Sequence, residues 1–286
     1  MFHALYIIII SFWLCLPAMA QKTDAIQAPK PAPSIQENAK PLSLTSPKFA
    51  SEIPAITVLA DRALTIPLAR LASDYSRKNQ TSVTVSFAPS FEQMVAIEEG
   101  ESADIFISAQ PDALSRLKQS GLFDVYSFTP ITKTRMALVT STPYPNKSLE
   151  ILIESLKEMK RTNDFLLAIA NSAATAEGFY SAQIIDKVQK ELFLSGNLVQ
   201  LQNTQDIFDF NNSMPSFGIV FSSDAIHQNE LRTLGNFPSE WHDEILFNGV
   251  VIAGGQMNAS RKFLKYIQSD EAQRYFTNYG FISLNK

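Results

Sequence analysis

Three histidines, one cysteine and a scatter of serines are the residues from which catalytic or metal chemistry would have to be built in this chain of 286 residues. None stands in a pattern that such chemistry needs. His227 and His242 have no acidic or histidine partner at metal-ligand spacing, so a surface position is the plainer reading of both. No serine sits in a Gly-x-Ser-x-Gly elbow. Gly178 and the pair Gly254-Gly255 are too few and wrongly spaced to cradle a phosphate. Asp104 precedes an apolar run, where an Asp is more often a loop or capping residue than an acid or base. With no set of acid, base and nucleophile, the chain reads as a protein without catalytic residues, resident metal or cofactor. What does recur is a polar loop followed by a helix, at Asp61-Arg62-Ala63, Pro89-Ser90, Ala176-Glu177 and Asp206-Ile207. Helix N-termini carry unpaired N–H groups and partial positive charge, so several aimed at one cleft could hold an anion. Every α/β protein has such termini, and by themselves they single out no ligand.

The elements that would position these loops follow from periodicity. Residues 56–109 read as strand, helix, strand, helix, strand: Ile56-Thr57-Val58-Leu59-Ala60, a helix with Leu64, Leu68, Leu71 and Tyr75 on one face, a turn at Lys78-Asn79-Gln80, the alternating Val83-Thr84-Val85-Ser86-Phe87, a helix with Met94 and Ile97 stopped at Gly100, and a strand over 103–108. Strands joined by helices need right-handed crossovers, which gives a parallel sheet with its ligand-binding edge at the strands' carboxyl ends. A helix over 112–120 capped by Gly121, a strand over 135–140, a turn at Pro143-Tyr144-Pro145-Asn146 and a helical stripe of Leu149, Leu152, Ile153 and Leu156 follow. A second α/β unit then has strands at 165–170, 198–201 and 217–221. Between them lie a polar loop over 171–177, a long helix over 179–194 ending at Gly196, and a short helix around Ile207 and Phe208. A strand within 244–252 and two helices over 260–279, broken near Ser269-Asp270, bring the chain back. Two such lobes joined by crossing strands form a clamp around a small ligand.

The termini and composition narrow the setting. Residues 5–16 are almost wholly apolar and Ala18-Met19-Ala20 offers a small-x-small cleavage pattern, so residues 1–20 read as a signal peptide, although the only positively chargeable residue before the apolar run is His3. An apolar run of roughly 12 residues falls short of the roughly 20 that a spanning helix needs. Cys15 lies inside this segment behind Trp13 and Leu14, which argues against lipidation, and the exported chain would contain no cysteine. Residues 21–52 carry Pro29, Pro31, Pro33, Pro41 and Pro47 among Ala, Lys, Ser and Gln, the composition of a disordered linker. With 24 basic and 28 acidic residues and no basic stripe, nucleic acid is not an expected partner.

Three blocks resemble a known family. Ser86-Phe87-Ala88-Pro89-Ser90, Ile97-Glu98-Glu99-Gly100 and Ala103-Asp104-Ile105-Phe106-Ile107-Ser108-Ala109 look like the first signature of periplasmic molybdate-binding proteins, the receptors of molybdate ABC importers. Phe217-Gly218-Ile219-Val220-Phe221-Ser222-Ser223-Asp224-Ala225 resembles the second, and Tyr279-Gly280-Phe281 the common ending. The resemblance implies a two-lobed α/β periplasmic binding protein of type II, each lobe a mostly parallel sheet flanked by helices. The lobes are expected at 53–133 and 134–243, with 244–286 returning to the first. It also implies a periplasmic monomer that delivers molybdate or a related oxyanion to an importer permease. In the family the anion is held by backbone N–H groups and the hydroxyls of two serines and a tyrosine. Carried over by position, Ser90 keeps one serine, Ala63 replaces the other, Phe221 replaces the tyrosine, Glu177 takes the place of a small residue, and Ile207 offers only backbone. A carboxylate beside an oxyanion is unfavourable unless neutralised, and Arg62 is the expected partner of Glu177. The same scaffold retuned to another ligand, one with a positive group for Glu177, and a ligand-free sensor or interaction protein are the alternatives.

Overall fold

A computed structural model describes residues 53–141, 150–151, 153–154, 165–192, 197–202, 206–207, 216–226, 228 and 231–285. The first strand, β1 (Ala55–Asp61), is buried along most of its length, as its run of Ile, Val and Leu requires. The turn Arg62–Leu64 leads into α1 (Thr65–Asn79), whose Leu68, Leu71, Ala72 and Tyr75 face the core and whose end is the left-handed Gln80, φ 48°. Next come β2 (Ser82–Ala88), α2 (Ser90–Glu98), β3 (Ile105–Ser108), α3 (Pro111–Gln119) and β4 (Thr129–Thr134). One residue, Arg135, separates β4 from β5 (Met136–Thr140), which starts the second sheet. That sheet is completed by β6 (Leu166–Ala170), β7 (Leu198–Leu201), β8 (Ser216–Phe221) and β9 (Arg232–Asn236), with α4 (Ala176–Leu192) and the short α5 (Ser222–Ala225) between strands. The chain returns through β10 (Ile245–Val251), α6 (Met257–Ile267) and α7 (Asp270–Asn278). Among the described residues no helix is long and apolar enough to cross a membrane.

The two sheets are built alike, with strand orders β2-β1-β3-β10-β4 and β7-β6-β8-β5-β9. In each, three parallel strands are followed by one antiparallel strand and then an edge strand. The antiparallel member is in both cases the strand that has just crossed between sheets, β10 in the first and β5 in the second. Each lobe is therefore tied to the other through a central strand rather than a loose tether. Apolar burial follows this layout: Met94, Ile97, Leu114 and Leu117 cover one face of the first sheet, and Ile207 and Ala225 one face of the second. An aromatic column runs through the crossing region, with ring centroids 6.4 Å apart for Tyr180 and Phe221, 5.9 Å for Phe221 and Phe247, and 5.7 Å for Phe247 and Phe281.

Some expectations shift. Strands β4 and β9 are absent from the periodicity reading because both are sheet edges, short and partly exposed. The long helix starts at Ala176 and not at 179, since the Thr175 hydroxyl accepts from the Gly178 N–H, 2.9 Å, and caps it. Glu177 therefore stands in the first helical turn instead of a loop. Strand β3 starts at Ile105, because Asp104 turns away to accept from the backbone N–H groups of Thr57, 2.7 Å, and Gln256, 2.6 Å, which is a connecting and capping role. The turn expected at Pro143-Tyr144-Pro145-Asn146, together with Leu149, Leu152, Leu156, Gly196, Phe208 and His227, lies outside the described residues, whereas Ile153 and Ile207 are helical as expected.

Candidate functional site

A cavity of about 290 Å³ opens between the lobes. From the first lobe it is lined by Asp61, Arg62, Ala63 and Pro89, from the second by Thr175, Glu177, Phe221 and Asp224, and from the C-terminal segment by Tyr279 and Phe281. The turn after β1 and the starts of α2, α4 and α5 thus converge on one space. The lobes touch beside it: the Tyr180 hydroxyl donates to the Ala109 carbonyl, 3.0 Å, and the Phe91 N–H to the Ala174 carbonyl, 3.4 Å.

Glycine fixes one wall. A Cβ on Gly178 would come within 2.5 Å of the Asn171 backbone, so the first turn of α4 packs directly on the loop after β6. That contact sets Glu177 at the cavity, where it is 3 % exposed. Its Oε1 accepts from the Phe221 N–H, 2.6 Å, while its Oε2 is buried without a hydrogen-bond partner. Across the cavity Asp61, 6 % exposed, accepts from the Ala63 N–H, 3.0 Å, and from the Ser90 hydroxyl. The half-buried Asp224 completes a group of three carboxyls. The Ser90 hydroxyl, which the resemblance assigns to an oxyanion, and the Ala63 N–H are consequently already engaged by Asp61, and the Phe221 N–H by Glu177.

Burial and mutual repulsion work against charge in this group. Burial raises the Asp61 carboxyl, against the lowering effect of Ser90, Ala63 and the Arg62 guanidinium. Burial, followed by the charge of Asp224, pushes Glu177 well above the ordinary carboxyl range, with the Phe221 N–H opposing and Asp61 adding to the rise. Asp224 is pushed up to about 7 by burial and by Asp61. These are the conditions under which a carboxyl keeps its proton near neutral pH. Among the described residues no group of three or more His, Cys, Asp or Glu is placed to hold a metal ion.

Of the residues singled out in the sequence, Arg62, Ala63, Glu177 and Phe221 line the cavity. Ser90 is fully buried just behind it and reaches it through Asp61. Ile207 does not line it: its side chain fills the space beside Gly218, where an added Cβ would meet its Cγ2 at 2.5 Å. The fourth N-terminal turn at the cavity belongs to α5 and not to the 206–207 segment. Arg62 is exposed, and it forms no ion pair with Glu177; its charge acts on Asp61 instead. His242 is half-buried, with Nδ1 2.7 Å from the Asp243 carbonyl, and does not line the cavity. Asp61 and Asp224 line the cavity without standing among the site residues that the sequence singles out. Asp61 carried a signal, since an Asp two residues before an N-terminal N–H is a local cap; Asp224 carried none beyond its place in a signature block.

Three relatives frame this geometry. The molybdate-binding protein ModA of Haemophilus influenzae is 26 % identical over 232 residues, which span 79 % of this chain and 89 % of that protein. ModA of Escherichia coli is 25 % identical over 79 % of this chain and 88 % of that protein. The periplasmic molybdate-binding protein of Azotobacter vinelandii superposes with a TM-score of 0.64 at 15 % identity, covering 79 % of this chain and 98 % of that one, which is a likeness of fold. The profile of bacterial extracellular solute-binding proteins matches residues 56–282. A chain whose two lobes line a common cavity, and whose residues 56–282 fit that profile, belongs to the bacterial extracellular solute-binding protein family.

Proposed function

We propose that the protein captures molybdate or a related small oxyanion in the cleft between its lobes and hands it to the permease of an ABC importer. The observation that carries this reading is the cavity on which the turn after β1 and the starts of α2, α4 and α5 converge from both lobes. The molybdate-binding relatives supply the ligand class. In this reading residues 1–20 direct export and are removed, residues 21–52 are a spacer, and the monomer works in the periplasm with no catalytic step. Two lobes, 53–133 with 244–286 and 134–243, close on the anion. Arg62, on the cavity wall and exposed, is a cation available to it.

Calorimetry and thermal denaturation of the exported chain with molybdate, tungstate, sulfate and phosphate, at about pH 6, test the proposal. The expected result is one-to-one binding of at least one of them. A ligand present at about 100 times its Kd adds about 2.7 kcal/mol of stability, a rise in Tm of several degrees. Absence of binding by every oxyanion between about pH 5 and pH 8 overturns it.

A further inference from the structure

Glu177 is the group in the cleft that its surroundings leave unfinished. It is 3 % exposed, it lines the cavity, and only one of its two oxygens has a partner. Phe221 N–H fixes Oε1 as an acceptor, and because the residue lines the cavity, a ligand held there is a candidate partner for Oε2. A buried polar atom without a partner costs stability. An ionised Oε2 would face an incoming anion as an acceptor facing an acceptor, in a low-dielectric wall. A protonated Oε2 is an O–H donor in a shell that has lost two hydroxyls relative to the resembled family, at Ala63 and Phe221, and whose remaining donors at Ser90 and Ala63 are held by Asp61.

We propose that the cleft takes its oxyanion together with one proton, held on Glu177 Oε2, so that a neutral carboxyl donates a hydrogen bond to the anion. This rests on the oxyanion reading above. The groups that set the balance are all at the cavity: Asp224 on α5 and Asp61 at the end of β1 resist negative charge on Glu177, Arg62 on the following turn acts on Asp61, and Tyr279 closes the C-terminal side. Tyr180, on the same helix as Glu177, stays a neutral hydroxyl engaged with the Ala109 carbonyl. Burial and the charge of Asp224 already press Glu177 toward its neutral form before any ligand arrives. The consequence is a receptor whose affinity falls as pH rises, because the required proton must then be taken from solution. Above the pKa of the free site the loss approaches about tenfold per pH unit for each proton taken up.

The probe is molybdate, titrated by calorimetry at about pH 6 and about pH 8.5 in two buffers of different ionisation heat, so that protons taken up are counted. The full exported chain is expected to lose at least about tenfold in affinity at the higher pH and to take up close to one proton per anion there. Glu177→Gln keeps an oxygen for the Phe221 N–H and presents an amide donor in place of the O–H. It is expected to lose less affinity between the two pH values than the unaltered chain, to bind more tightly than that chain at about pH 8.5, and to take up fewer protons per anion there, what remains coming from Asp61 and Asp224. Glu177→Ala, which lacks the donor, is expected to bind more weakly than Glu177→Gln at both. Affinity independent of pH in the unaltered chain, or a Glu177→Gln variant as weak as that chain at high pH, overturns the proton while leaving oxyanion capture standing. Tight binding of an amine that strengthens with rising pH overturns it as well, since Glu177 would then act as a charged acceptor. If neither the unaltered chain nor Glu177→Gln binds any oxyanion at any pH, the functional reading itself falls.

Discussion

Carboxyls at the surface and carboxyls in the cleft of this protein are held in opposite ways. Asp124 accepts from Arg261 and from the Tyr126 N–H, 3.1 Å, and Asp74 accepts from the Tyr275 hydroxyl and from Arg77; both are held below the ordinary carboxyl range. Asp61, Glu177 and Asp224 are raised, although two of them also accept backbone N–H groups. The difference is not hydrogen bonding but desolvation without a paired cation, which outweighs one or two bonds. Surface carboxyls here tie elements together as anions. In the cleft, Asp61 and Glu177 occupy donors of the cavity wall, and burial works against charge on all three carboxyls.

The largest test of that contrast adds donors back. In Ala63→Ser with Phe221→Tyr two hydroxyls enter the cavity wall while Asp61 and Glu177 keep their partners. Each hydrogen bond to a charged acceptor is worth roughly 1.5 to 3 kcal/mol, so the pair should tighten molybdate binding by about a hundredfold or more at a given pH. The dependence on pH should be unchanged, because Glu177 is untouched. Calorimetry decides it, and Tm checks that the larger ring at Phe221, packed against Tyr180 and Phe247, is accommodated. An unchanged Kd would mean that lost hydroxyls are not what limits this site.

How much of this was legible in the chain depends on what each feature needs to be seen. The β1-α1-β2-α2-β3 run, and the later α6 and α7 pair, are written in apolar periods because each has one face in a core. The edge strands β4 and β9 are not: Thr129-Pro130-Ile131-Thr132-Lys133-Thr134 and Arg232-Thr233-Leu234-Gly235-Asn236 are polar on one side and bounded by no strong break. Four of the six candidate site residues do line the cavity: Arg62, Ala63 and Glu177 stand in the loop-before-helix pattern, and Phe221 is singled out by the resemblance alone. Ile207 misleads because an apolar side chain beside a loop says nothing about which way it packs. Burial of Asp61 and Asp224 is a tertiary fact. Nothing within a few residues of Asp224 distinguishes it from an exposed acid in a first helical turn, which is where Asp is ordinarily favoured.

Stability against pH sharpens the comparison next. For Asp224 the folded pKa lies above the unfolded one, at about 7 against 3.8. Below the unfolded value both states hold the proton and nothing is lost. Between the two the folded state retains a proton that the unfolded chain has released, so stability falls as pH rises, by up to about 1.4 kcal/mol per pH unit per proton. Glu177 and Asp61, raised in the same direction, add to the slope. Tm is therefore expected to be several degrees lower at about pH 8 than at about pH 5, given about 2–4 °C for each kcal/mol in a domain of this size. Asp224→Asn should flatten the curve and raise Tm at the higher pH. A Tm that climbs steadily from pH 5 to pH 8 would show that these carboxyls are not held protonated.

The smallest effect belongs to the surface, and its sign is the useful part. Asp124 is lowered by Arg261 first and by the Tyr126 N–H second, so whatever it contributes is present above the ordinary carboxyl pKa and is lost as pH falls through its folded value. Exposed pairs of this kind are screened by water and salt, and their contributions are small. Asp124 nevertheless spans two elements, since it also receives the N–H that starts the turn before β4 and reaches Arg261 on α6. Asp124→Asn should therefore lower Tm slightly at about pH 7 and leave it unchanged near pH 3, the opposite pH profile to Asp224→Asn. Denaturation curves of the two variants collected side by side carry the test. Should both asparagine variants stabilise at neutral pH, net negative charge on the whole molecule, and not burial in the cleft, would be what raises the cleft carboxyls.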